Sequence, residues 1–298
     1  MQKFIPLNKN RNTHVVVTKY NWPIEEYLRG HAAVIHVNSL DDVVNIRRHA
    51  DETLKVVAYV YTDPYASLET IEIPSECASA PLILRINRLG QFRAIHHKLN
   101  ALRNMDVILF FTGNSHQSIV DAQIAASLGI HSGIMMMPDS ELGDDILDLI
   151  TYNAYSTMPH ADIEPFSTME RYYDGESYVS PSMAYFNNPN RYIHVDSERH
   201  LAFTSEQLAN GDYFDQGIEK VKTISQHEAV EKENNKWQQM FITPHPCSFC
   251  PAFRICVGYF EQQREKGRCK EVMSELLEAI EFQKKRNQQN TKKESCQL

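Results

Sequence analysis

The chain has 298 residues, of which 42% are hydrophobic and 23% charged, with a formal net charge of −8. That length accommodates one large domain and a small one, and the composition is that of a folded globular protein. The acidic balance argues against general nucleic-acid binding by phosphate neutralisation, and no run approaches the ~20 apolar residues that a membrane span needs.

Residues 1–12 are polar and read as a flexible arm. They lack the apolar core of a signal peptide, so a cytoplasmic location is expected, where thiols stay reduced. The β-branched runs at 13–18 and 32–37 read as strands. Ser39 caps a helix over 40–50, with Val43, Val44 and Ile46 on its apolar face. A third strand, 54–61, stops at Asp63-Pro64.

The alternation then repeats. Residues 81–86 form a strand and 91–102 a helix, and 107–111 is a continuous apolar strand of the kind buried on both faces. A helix over 117–128 ends at Gly129, followed by a strand at 134–137 and a helix at 142–152. Met135, Met136 and Met137 read as core filling. Strand–helix alternation with short loops means parallel βα units. The units are too few for an eight-fold barrel, so residues 13–160 are expected to form a partial (β/α) barrel or an open parallel sheet.

Around Ala161 the pattern changes. Residues 161–190, rich in Tyr, Pro, Asn and Ser, read as a linker. A β-hairpin is expected over 191–196 and 200–204, then a turn at 211–214 and a helix over 216–231. Beyond it 271–282 is amphipathic, with Val272, Leu276, Ala279 and Ile280 on one face. The polar end from 288 reads as a disordered tail carrying Cys296.

Four of the six cysteines fall between these last elements: Cys247, Cys250, Cys256 and Cys269, spaced C-x2-C-x5-C-x12-C. A C-x2-C pair presents two thiolates from one tight turn, and two more complete a four-thiolate set. That set suits either a tetrahedral zinc site or a [4Fe–4S] cluster. Either would make 191–287 a small C-terminal metal-binding domain that depends on its metal to fold. Unrelated buried thiols would scatter along the chain rather than cluster.

Other chemistry-bearing groups are isolated. His96, His97, His116, His131, Asp139, Glu141 and His160 are the groups that an enzyme would draw on, though residues of this kind mostly sit on loops and surfaces. Thr112-Gly113-Asn114-Ser115 precedes a helix and would cap it, or hold an anion at its N-terminus. Arg85, Arg88, Arg93 and Lys98 read as a solvated helix face. Nucleophile-elbow, phosphate-loop, dinucleotide and zinc-protease motifs are absent.

A parallel βα domain, a hairpin and then this cysteine pattern resemble a radical SAM enzyme with a C-terminal SPASM domain. Two departures follow. The catalytic C-x3-C-x2-C of that family belongs just after the first strand, where this chain has Lys19-Tyr20-Asn21-Trp22-Pro23, and Cys77 is the only cysteine of the βα region. A full SPASM domain also carries a cysteine where Phe260 stands, and ligands in a hairpin region that here has Phe203 and Thr204. The resemblance therefore implies a pseudo-radical-SAM protein that retains one auxiliary [4Fe–4S] cluster on Cys247, Cys250, Cys256 and Cys269.

The chain is most similar in plan to the SPASM-domain peptide maturase of grasp-with-spasm systems. That likeness implies an accessory in maturation of a ribosomally made, graspetide-type peptide. Its partners would be the precursor peptide and an ATP-grasp ligase or another modifying enzyme, and radical SAM catalysis would be absent. The competing readings are a redox or electron-transfer iron–sulfur protein, and a non-radical enzyme with a structural zinc knot.

Overall fold

A computed structural model describes residues 14–20, 28, 30–49, 54–112, 115–140, 142–243, 245–266 and 268–295. The N-terminal arm, Asn21-Trp22-Pro23, Gly113-Asn114, Glu141 and Cys296 lie outside the described residues.

In chain order, β1 (Val15–Lys19) and β2 (Ala32–Val37) precede α1 (Leu40–His49), β3 (Lys55–Ser67), β4 (Leu82–Arg88), α2 (Phe92–Leu102) and β5 (Val107–Phe111). Then come α3 (His116–Ser127), β6 (His131–Ile134), α4 (Asp144–Tyr155), β7 (Ile163–Glu164) and α5 (Phe166–Tyr172). The hairpin is β8 (Tyr192–Val195) with β9 (His200–Ala202), followed by α6 (Ser205–Asn210), β10 (Asp215–Gln216) and α7 (Glu228–Asn234). Short helices α8 (Gln239–Ile242) and α9 (Phe253–Cys256) lead into the long α10 (Cys269–Ser295). The protein is α/β, and the ten strands among the described residues are mostly parallel.

The chain divides into two compact units, 1–110 with 186–236, and 111–185 with 237–298. The expected linear boundaries at 160 and 190 are not those of the fold. The expected C-terminal domain, 191–287, is divided at Lys236, and its hairpin belongs with the first unit.

In that unit the strands run β10-β9-β8-β1-β2-β3-β4-β5, an open sheet rather than a barrel. β8 lies parallel to β1, with Val17 opposite His194, and turns back antiparallel through β9. The sequence shows the hairpin but not its seat, because sheet position is set by a long-range pairing. Val16, Ala33, Ile35, Val43, Ile46, Leu82, Leu84 and Ile193 are among the side chains excluded from water.

β3 passes through Asp63-Pro64 instead of stopping there. The Asp63 carboxylate accepts the N–H groups of Tyr65 and Ala66 at 3.0 and 3.1 Å, so the interruption is a local bulge. Pairing resumes with Ser67 opposite Arg88. The basic residues are not one helix face. Arg85 and Arg88 are on β4, and Lys98 on α2 donates to the carbonyls of Leu68, Glu69 and Ile71 at 3.0, 2.7 and 2.7 Å. The helix expected over 216–231 is a 3-10 segment, Ile218–Gln226, followed by α7. The His227 ring nitrogen accepts the Ala229 N–H and starts the second element afresh.

In the second unit β6 precedes the methionines rather than containing them. Ser132 pairs with Ile163 of β7, and its hydroxyl donates to Ala122 at 2.7 Å. Met136 is fully buried, whereas Met137 is 41% exposed, so only part of the trio fills core. The Tyr185 hydroxyl fixes the strand exit, donating to the Ile134 carbonyl and accepting from the Met136 N–H, both at 2.9 Å. The expected linker is folded: α5 buries Phe166, Thr168 and Met169. α10 packs on α4, where Phe282 meets Tyr155 with ring centroids 4.8 Å apart and Gln283 donates to the Asn153 carbonyl at 2.8 Å. α10 stays helical to Ser295, where the sequence suggests disorder from 288.

Candidate metal centre and a sheet-end cleft

The cysteine segment lies in the second unit. Pro246 opens a 3-10 turn, Pro246–Phe249, and the His245 Nδ1 caps it by accepting the Cys247 N–H at 3.2 Å. The Cys250 N–H closes the turn on the Cys247 carbonyl at 3.0 Å. Cys256 ends α9, and the next two residues, Val257 (φ 53°) and Gly258 (φ 76°), turn the backbone left-handed. After that turn the Tyr259 N–H donates to the Cys256 carbonyl at 2.9 Å, and the Tyr259 and Phe260 amides favour the Cys256 thiolate. Cys269 begins α10.

Burial pushes the Cys256 thiol up to about 12, and the Cys269 and Cys247 thiols act in the same direction. Cys269 and Cys247 thus each oppose the ionisation of Cys256, a conflict that a bound cation would relieve. Cys250 is tied to them through the Cys247 turn. The donors are chemically fit for a soft thiolate-binding metal or cluster. Their arrangement is not closed, since no group of three or more His, Cys, Asp or Glu among the described residues is gathered for an ion.

Aromatic side chains surround the segment. Tyr178 lies tilted against Trp237 at 4.4 Å between centroids, and Phe241 meets Phe253 edge-on at 5.0 Å. Phe241, Ile242 and Phe249 stand 50%, 71% and 81% exposed.

The candidate enzymatic groups are scattered. His96 and His97 lie exposed on α2, and His116 pairs with Asp145 at 2.7 Å on the surface. His131 begins β6, and the Asp139 carbonyl accepts from Gln263 at 2.7 Å. His160 borders a hollow of about 380 Å³ with Asp162, Glu170 and Arg286, against Tyr152. Ser115 caps α3 by accepting the Ser118 N–H. Cys77 is buried on the Leu40 carbonyl.

Sequence reasoning missed a second site, in the first unit. A cleft of about 430 Å³ opens at the carboxyl ends of β1, β2 and β8, where parallel sheets place their ligands. Val17 is opposite both His194 and Val34, and Lys19 is opposite His36, so all five share one face. Continuing through Val60 opposite Ile83, and Thr62 opposite Arg85, puts Arg85 on that face too. His194 Nε2–H donates to the Phe186 carbonyl at 3.0 Å. Burial lowers His194 to about 4, with Arg85 adding to the effect. His36 falls to about 3 through burial, Arg85, His194 and Lys19. The Ile-His-Val run shared by β2 (Ile35-His36-Val37) and β8 (Ile193-His194-Val195), a polar ring within an apolar strand, was the available signal.

Across known families, curated proteins and solved structures, the chain matches none. Among the described residues no helix is long and apolar enough to cross a membrane.

Proposed function

We propose that the protein is a noncatalytic accessory in the maturation of a ribosomally synthesised peptide. It binds the precursor, and an ATP-grasp ligase or another modifying enzyme, through the surface beside its cysteine segment. The observation that carries this reading is the set of exposed apolar side chains next to the thiols, Phe241, Ile242 and Phe249. Large apolar groups left in water together mark surfaces that bind a partner. The carboxyl end of β1 also offers Lys19 rather than cysteines, consistent with a protein without radical chemistry.

Cys247, Cys250, Cys256 and Cys269 would hold the metal group, a [4Fe–4S] cluster in this reading. Such a group would cross-link the turn at 246–249, the end of α9 and the start of α10. The chain's own part is to place the thiols and to set the left-handed turn that follows Cys256.

The test is metal and sulfide analysis after anaerobic purification, with pull-down of a candidate precursor peptide and of an ATP-grasp ligase. About four irons and four sulfides per chain are expected, with retention of both partners. About one zinc and no sulfide would make the centre structural. Loss of neither partner in a Phe241→Ser, Phe249→Ser variant would sink the binding surface.

A further inference from the structure

The cleft at the ends of β1, β2 and β8 is ligand-sized, since about 430 Å³ lies inside the ~300–1,000 Å³ range of small-molecule sites. Its polar groups come from separate strands that the register aligns, Lys19, His36 and His194, with Arg85 on the same face. Val17, Leu208 and Ala209 supply an apolar wall. His36 remains partly accessible there, and Lys19 is exposed.

The charges decide what kind of ligand fits. Two histidines on one face suggest a metal site, but a divalent ion would meet the same positive field of Arg85 and Lys19 that disfavours the protonated His36 ring. The one carboxylate among the described lining residues, Asp196, is engaged elsewhere. Its Oδ1 accepts the N–H groups of Glu198 and His200 at 2.9 Å each, and its Oδ2 meets His200 Nδ1 at 2.9 Å. Among the described lining residues one cation, Lys19, and two neutral imidazoles therefore face the cleft, with Arg85 on the same sheet face and the one acid already paired.

We propose that this cleft binds a small organic anion, its carboxylate or phosphate head held by Lys19 and His36 under the charge of Arg85, with an apolar body against Val17 and Leu208. The assignment is independent of the cysteine centre and of any peptide partner.

The test is a titration of the full-length chain at pH 7 and low salt with malonate and, separately, with inorganic phosphate, following the ring resonances of His36 and His194. Saturable shifts with at least one probe are expected, and the tighter probe identifies the head group. Lys19→Gln, at an exposed position, should weaken binding several-fold. His36→Asn should weaken it roughly tenfold, as loss of a hydrogen bond to a charged group does. Ring resonances that stay fixed up to about 10 mM of both probes would overturn the proposal. So would undiminished binding in both variants, or ring shifts with zinc alone.

Discussion

His36 and His194 occupy strands that are not neighbours, yet the register of β1 between them sets both imidazoles on one face of the sheet. Both rings are held neutral, His36 to about pH 3 and His194 to about pH 4, against an ordinary value of 6.5. Above pH 6.5 the rings are neutral in folded and unfolded chains alike. Below it the unfolded chain takes up protons that the folded chain refuses, so stability falls as the pH drops from about 6.5 towards 4. Each ring contributes a slope of at most about 1.4 kcal/mol per pH unit. Denaturant unfolding at pH 7, 6 and 5 should show the fall, and His194→Gln should flatten it by about one proton. An unchanged slope in that variant would exclude His194 as a source.

Lys98 is a structural clamp on the segment that follows β3. Its ammonium group gathers three carbonyls, those of Leu68, Glu69 and Ile71, onto one donor. Lys98→Met keeps the stem and removes the donors, and should cost about 1–3 kcal/mol. The midpoint of urea unfolding reads this directly, and a shift near zero would mean that water serves those carbonyls equally well.

The turn after Cys256 is predicted to set metal retention without supplying a ligand. A Cβ on Gly258 would stand 2.5 Å from the Met240 Cε, at a φ of +76°. Gly258→Ala should cost about 1–2 kcal/mol in backbone strain and loosen the turn that positions Cys256. Metal content per chain should drop in that variant, and vanish in Cys247→Ala, Cys250→Ala. Full metal content in the double variant would refute the four-cysteine assignment.

No S-adenosylmethionine cleavage is expected under reducing conditions, because one buried thiol, Cys77, cannot replace a three-cysteine motif. Formation of 5′-deoxyadenosine in proportion to the protein would reverse the noncatalytic reading.

The alternation of apolar strands and amphipathic helices was readable because each element announces itself over a few residues. Val43, Val44 and Ile46 bury as the helix period predicts, and 107–111 is buried throughout. Non-local facts were not readable. Nothing near Tyr192 says that β8 will lie against β1, and this pairing brings His194 to His36. The short β6 was misplaced because His131-Ser132-Gly133 is polar and the methionines after it are not. The cysteine spacing was plain in the sequence, whereas the N–H groups that meet Cys256 depend on Val257 and Gly258 turning left-handed.

The pairing of β1 with β8 also sets a clock for biosynthesis. His14 bonds the Pro189 carbonyl across 175 positions at 2.9 Å, and β8 follows immediately. At roughly 5–20 residues per second, the ribosome needs about 9–35 s to deliver the partner of a strand that begins Val15-Val16-Val17. Throughout that interval one edge of an apolar strand lacks its neighbour, and such edges pair with whatever strand arrives. The newborn chain is therefore open to misassociation along β1, and a chaperone that shields 15–19 until 195 emerges would raise its yield.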